Sequence, residues 1–163
     1  MDKHFELTDK FIINAFGAKL FQIKCTRKIK YADIGDLGGY IEKEDNLYGD
    51  AWVSGDAQVS GNAQVSGYAR VSGYARVFGY ARVFGDARVS NDNEHCGFDC
   101  FGSANRHTHS YKTKSGKIEI TCGCFRGSIE EFEKQIKETH RGNEFERQYM
   151  AIVEVIKIKF GLK

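Results

Sequence analysis

The chain of 163 residues has no proline, and its charge is almost balanced: 24 Lys plus Arg stand against 22 Asp plus Glu, a formal net charge of +2. Balance of this kind leaves no strong field to draw the protein to a nucleic-acid polymer or an anionic membrane, so neither is expected as a partner. No apolar stretch approaches the ~20 residues that cross a bilayer, and the opening Met1, Asp2, Lys3, His4 leads into no signal-peptide core; a cytoplasmic protein is expected. Five cysteines, an odd number without a secretory signal, point to reduced thiols or a metal site rather than a disulfide framework. Against these absences stand eighteen glycines. Glycine without proline suggests a backbone that turns tight corners at regular intervals.

From Tyr48 to Val89 the chain repeats every six residues, as YGDAWV, SGDAQV, SGNAQV, SGYARV, SGYARV, FGYARV and FGDARV. Gly recurs at 49, 55, 61, 67, 73, 79 and 85, Ala at 51, 57, 63, 69, 75, 81 and 87, and Val at 53, 59, 65, 71, 77, 83 and 89. Ala and Val lie two apart, so in an extended segment both face one side while the residue between them faces the other. A helix is excluded because a period of six does not match 3.6, and because each recurring Gly would cost ~1 kcal/mol. A hairpin sheet is excluded because no two-residue Asn-Gly type loop separates the units. The fold class expected is mainly β: very short strands with Gly at the corners, three to a coil, stacked in parallel, with an Ala and a Val from each side in the core.

So short a stack exposes strand edges at both ends and requires caps. Residues 1–47 form the expected N-terminal cap, with a strand at Lys19–Cys25 and an approach from Ile34 to Ile41; residues 48–90 form the repeat; residues 91–163 form an α+β cap. In the last segment strands are expected at 107–113 and 117–124, joined at Lys114, Ser115 and Gly116. Ser128 and Glu131 make a capping box ahead of Ile129, Phe132 and Ile136, the face of a helix. Asn143 to Phe160 fits a second helix, although its Ile-Val-Glu-Val-Ile run would serve equally as a strand.

The repeat resembles the hexapeptide-repeat proteins that form left-handed parallel β-helices. With the approach GDLGGYIEKEDNL and the closing GSANRHTHSYKTKSGKIEITCGCFRGSIEEFEKQIKETH, the chain is similar to small hexapeptide-repeat proteins encoded by bacteriophages and prophages. The resemblance implies a left-handed coil and a homo-oligomer, expected to be a trimer, in a bacterial host cell. It carries over no catalytic residue. Hexapeptide acyltransferases use a His as general base, and related carbonic anhydrases hold zinc with three His on the coils, yet no His lies between Tyr48 and Ser90. An acyltransferase here would have to use His95, His107 or His109 of the C-terminal cap.

Residues 18 apart should stack about 4.8 Å from one another. That puts Trp52, Arg70 and Arg88 in one column, Gln58 and Arg76 in a second, and Gln64 and Arg82 in a third, with Tyr68, Tyr74 and Tyr80 at the position after Gly. Arg above Arg is repulsive unless an anion or carboxylate intervenes, and Arg with Tyr and Trp is suited to holding a phosphate and stacking a base. The same residues also read as ordinary outward strand positions, or as an interface between subunits.

Two further groups stand in the C-terminal part. His95, Cys96, Cys100, His107, His109, Cys122 and Cys124 could place four ligands around zinc, or could include buried small cysteines. Gly102, Ser103, Ala104, Asn105 and Arg106 could cradle a phosphate through backbone N–H groups, or be a plain turn. The leading expectation is a non-catalytic phage-type binding protein, needing no cofactor or metal, that sequesters a small anionic, nucleotide-derived signal of host defence. An acyltransferase using a cap His and an oligomerisation scaffold are the alternatives.

Overall fold

In the computed structural model residues 3–163 are described, and they form two compact units, Met1–Asp92 and Asn93–Lys163. The protein is mainly β, with a pair of helices at its C-terminal end. Among the described residues no helix is long and apolar enough to cross a membrane.

The first unit opens with β1 (Phe5–Ile13), β2 (Lys19–Cys25) and β3 (Leu37–Ile41), each antiparallel to the next. Seven two-residue strands follow: β4 (Trp52–Val53), β5 (Gln58–Val59), β6 (Gln64–Val65), β7 (Arg70–Val71), β8 (Arg76–Val77), β9 (Arg82–Val83) and β10 (Arg88–Val89). They pair in parallel with the strand 18 residues on, in three columns: β4, β7 and β10; β5 and β8; β6 and β9. The approach segment belongs to this stack too, since β3 joins the second column with Tyr40 opposite Gln58.

Between strands the Ala N–H donates to the carbonyl three residues back at 3.2–3.4 Å in all seven repeats. The repeat Gly stands at the first central position of each turn with φ between +61° and +72°, while the residue after it keeps a negative φ, the pattern of a type II′ turn. The repeat Ala and Val side chains are buried throughout. Asn46 closes the near end of the third column: its fully buried amide donates to the Gly61 and Ala63 carbonyls at 3.1 and 2.8 Å, bonds that a further strand would otherwise make.

The second unit is an antiparallel meander of β11 (His95–Phe101), β12 (Arg106–Lys112), β13 (Ile118–Cys122) and β14 (Phe125–Ser128), followed by α1 (Ile129–His140) and α2 (Glu144–Phe160). The capping box forms as its spacing indicates, with Glu131 N–H donating to Ser128 Oγ at 3.2 Å and Ser128 N–H to Glu131 Oε2 at 2.7 Å. Asn143 caps α2 through Phe145 and Glu146 N–H. The ambiguous Ile-Val-Glu-Val-Ile run is helical: Tyr149, Ile152, Val153 and Ile156 bury one face against Phe132, Ile136, Ile120 and Cys122. A strand would have turned Ile152 and Val153 to opposite sides.

Candidate functional site

The ladder puts Trp52 beside Arg70 and Arg70 beside Arg88, Gln58 beside Arg76, and Gln64 beside Arg82. The three columns are separate, so Arg76 and Arg82 do not converge on Arg70 and Arg88. Tyr68, Tyr74 and Tyr80 are divided among three successive turns in the same way, and all are exposed.

Trp52 departs from the expectation of an outward, available ring. It is 2% exposed, packed near His4, whose ring centroid lies 6.1 Å away. The N-terminal segment covers this end of the column, so the indole serves the core rather than a surface site. The arginines also differ in their partners. Arg76 makes two bonds to the Asp92 carboxylate, at 2.8 and 2.5 Å, and Asp92 accepts the Arg76 backbone N–H as well. Arg88 lies over the Tyr31 ring, 4.5 Å from its centroid, and donates to the Tyr31 hydroxyl at 2.7 Å. Arg70 is exposed and makes no ion pair or side-chain hydrogen bond among the described residues.

Around Arg70 and Arg88 the segment after β2 supplies residues that the repeat pattern does not reveal. The Lys30 ammonium stands 5.4 Å from the Tyr31 ring centroid and 5.8 Å from that of Tyr68, within cation–π range of both. Burial tends to raise the Tyr31 phenol pKa, but hydrogen bonds from Arg88 and Lys30, with their charges, outweigh it and hold the phenol below its usual value. Next to this edge an open cleft of about 600 Å³ is lined by Lys3, Arg27, Tyr48, Asp50 and Tyr68, with His4 and Phe5 among its walls. Arg27 bridges to Asp50 at 3.0 Å and Lys3 pairs with Glu44. The volume lies within the range of small-molecule sites.

In the second unit the proposed zinc group is divided by strand alternation. His109 pairs with Thr121 and Thr108 with Cys122, so His107 and His109 face one side of the sheet, whereas Cys122 faces the other, in the helix-packed core with Cys96. Cys100 and Cys124 are exposed, and all five cysteines are free. Among the described residues no group of three or more His, Cys, Asp or Glu side chains is arranged to hold a metal. The histidines have polar neighbours of their own: His95 Nδ1 lies 3.1 Å from His109 Nε2, and His107 Nδ1 lies 2.5 Å from Asp99 Oδ1.

The segment Gly102 to Arg106 is a turn in which two of the amides are already engaged. Gly102 N–H donates to Gln148 Oε1 at 2.9 Å, and Asn105 N–H to the Gly102 carbonyl at 3.2 Å. These two bonds withdraw two donors from a phosphate cradle, and Ser103 and Asn105 are exposed turn residues. Arg106, by contrast, lines a pocket within the second unit.

Lys3, Arg27, Lys30, Tyr31 and Tyr48 were missed from sequence because they matter only once the N-terminal segment folds back on the stack. The one available signal was the Arg-Lys-Ile-Lys-Tyr run at 27–31, basic residues next to an aromatic. In comparison with known proteins, no family model and no curated protein matches the chain.

Proposed function

We propose that the protein is a non-catalytic binding protein of the hexapeptide-repeat type, a short left-handed parallel β-helix assembled as a homotrimer, that sequesters a small anionic, nucleotide-derived ligand. The β-helix reading is supported by the 18-residue parallel stagger and the glycine turn of every repeat. Oligomerisation is supported by the exposed rings of Tyr68, Tyr74, Phe78 and Tyr80, which are 52%, 76%, 49% and 60% accessible, more aromatic surface than a monomer ordinarily keeps in water. The ligand reading is carried by one observation: Lys3, Arg27, Tyr48 and Tyr68 line one open cleft together with Asp50, and the Lys30 ammonium stands 5.8 Å from the Tyr68 ring at its edge. Cations meet the phosphate, and a tyrosine face takes the base. By the same phage likeness, the ligand would be a host defence signal.

Calorimetry with a panel of cyclic dinucleotides and ADP-ribose derivatives tests the reading. Arg27→Ala removes charge-assisted hydrogen bonds worth roughly 1.5–3 kcal/mol, so affinity should fall about tenfold to a hundredfold, and with the Arg27 side chain exposed the fold should stay intact. Binding by no member of the panel would leave an oligomerisation scaffold. A second reading, acyl transfer, is favoured by the Asp99–His107 pair, in which a carboxylate holds one ring nitrogen while the other, buried, has no hydrogen-bond partner among the described residues. Turnover of an acyl-coenzyme A, abolished by His107→Ala, would establish it.

A further inference from the structure

A second pocket lies wholly within the second unit and has a different character from the cleft of the first. It encloses about 500 Å³ between the β13–β14 hairpin and the two helices. Two arginines, Arg106 and Arg126, line it together with Gln135, Thr139 and His140, and no carboxylate does. Its apolar wall is aromatic: the rings of His140 and Tyr149 stack at 26° with centroids 5.5 Å apart, and Phe125 and Phe132 lie 4.9 Å from one another.

Arg126 is tied to Glu119, but Arg106 makes no ion pair or side-chain hydrogen bond among the described residues. Its guanidinium lies across Gly123, where a Cβ would stand 2.9 Å from Nη1 and 3.0 Å from Nε. Gly123 has φ +59°, so the residue that suits the turn also makes room for the cation. An arginine that lines a pocket without a partner is the half of a charge-assisted pair that an anion completes.

Gln135 Nε2 donates to Thr139 Oγ1 at 2.9 Å, which leaves the Thr139 hydroxyl hydrogen for another acceptor. Burial, then the interaction with the Cys122 sulfur beside it, push the Tyr149 phenol up to about 12, so the wall holds no competing negative charge. The C-terminal turn of α1 brings about half a negative charge to one side, less than either guanidinium supplies.

We propose that this pocket is a binding site for a small organic phosphate with a planar apolar body: Arg106 and Arg126 take the phosphate, and the aromatic wall takes the body. The proposal concerns a site other than the first-unit cleft and does not depend on it. Titration of the full chain with phenyl phosphate, followed by amide proton–nitrogen NMR, tests it. Saturable shifts are expected at residues 123–126 and at Gln135, Thr139 and His140, and Arg106→Gln should weaken binding at least tenfold.

Arg126→Gln should weaken it as well, whereas Arg70→Ala should leave it unchanged. Arg106 is exposed, so its replacement leaves the core untouched. Equal shifts and affinity with phenol would make the pocket an apolar hollow and overturn the proposal. So would shifts that fail to saturate, that persist undiminished in both arginine variants, or that fall on the first unit alone.

Discussion

Two glycines of the repeat separate the cost of a backbone conformation from the cost of a close approach. Gly73 and Gly79 occupy the same place in successive turns, with φ +62° and +69°. A Cβ added at Gly79 meets nothing within 4 Å, whereas one at Gly73 would stand 2.3 Å from the Ser90 carbonyl oxygen, a backbone atom that cannot swing aside. Gly79→Ala should therefore cost only the positive-φ penalty, roughly 1–2 kcal/mol. Gly73→Ala adds overpacking of roughly 1–3 kcal/mol, for a total of roughly 2–5 kcal/mol.

Trp52, the single tryptophan and 2% exposed, reports the first unit directly when urea unfolding is followed by fluorescence. With a slope of about 1–2 kcal/mol per molar urea, Gly79→Ala should lower the midpoint by about 1 M and Gly73→Ala by at least twice as much. Equal midpoints for the two variants would refute the stacking of turn upon turn.

Further outcomes concern the same unit. His4 is buried with Nε2 2.8 Å from the Ala51 carbonyl oxygen, and burial holds its pKa below the ordinary 6.5. The unfolded chain then binds a proton that the folded chain refuses, so stability should fall as pH drops below about 6.5 and go on falling to the folded pKa. Trp52-monitored urea midpoints from pH 7.5 to 5.5 should show this loss, and the same loss in His4→Gln would sink the assignment. Val71→Asp places a charge at a fully buried position and should abolish folding, while Gln64→Glu at a half-buried outward position should be nearly silent by circular dichroism. Similar effects of the two would mean that the repeat is in the wrong register.

What was legible depended on how local the cause was. Each repeat unit carries its own turn and its own inward pair, so the parallel stagger of 18 residues could be read from Gly, Ala and Val alone. The Ser128 capping box and the face of α2 are equally local. The fate of Trp52 was not legible, because its neighbour His4 is 48 positions earlier and joins it only through tertiary folding. The Tyr31–Arg88 contact spans 57 positions and is of the same kind. β1 alternates at Phe5 and Leu7 and again at Phe11 and Ile13, but Thr8, Asp9 and Lys10 interrupt the pattern where its pairing with β2 also slips, so no unbroken alternation marks it as a strand. The separation of cysteines from histidines in the second unit rests on which residue of β12 faces which of β13. That register is decided by the hairpin at Thr113–Lys117, not by spacing along either strand.

The three-column arrangement also governs how such a chain can change in length. Because every hexapeptide offers the same Ala and Val to the interior, gain or loss of one unit by unequal recombination would leave the core composition intact. It would nevertheless transfer every later unit to the next column, so that Arg70 would change its stacking neighbours and the chain would leave the stack from another side. Only a change of eighteen residues restores both the neighbours and the exit. Heredity in steps of six, filtered by function in steps of eighteen, would favour drift in the outward residues long before drift in the number of repeats.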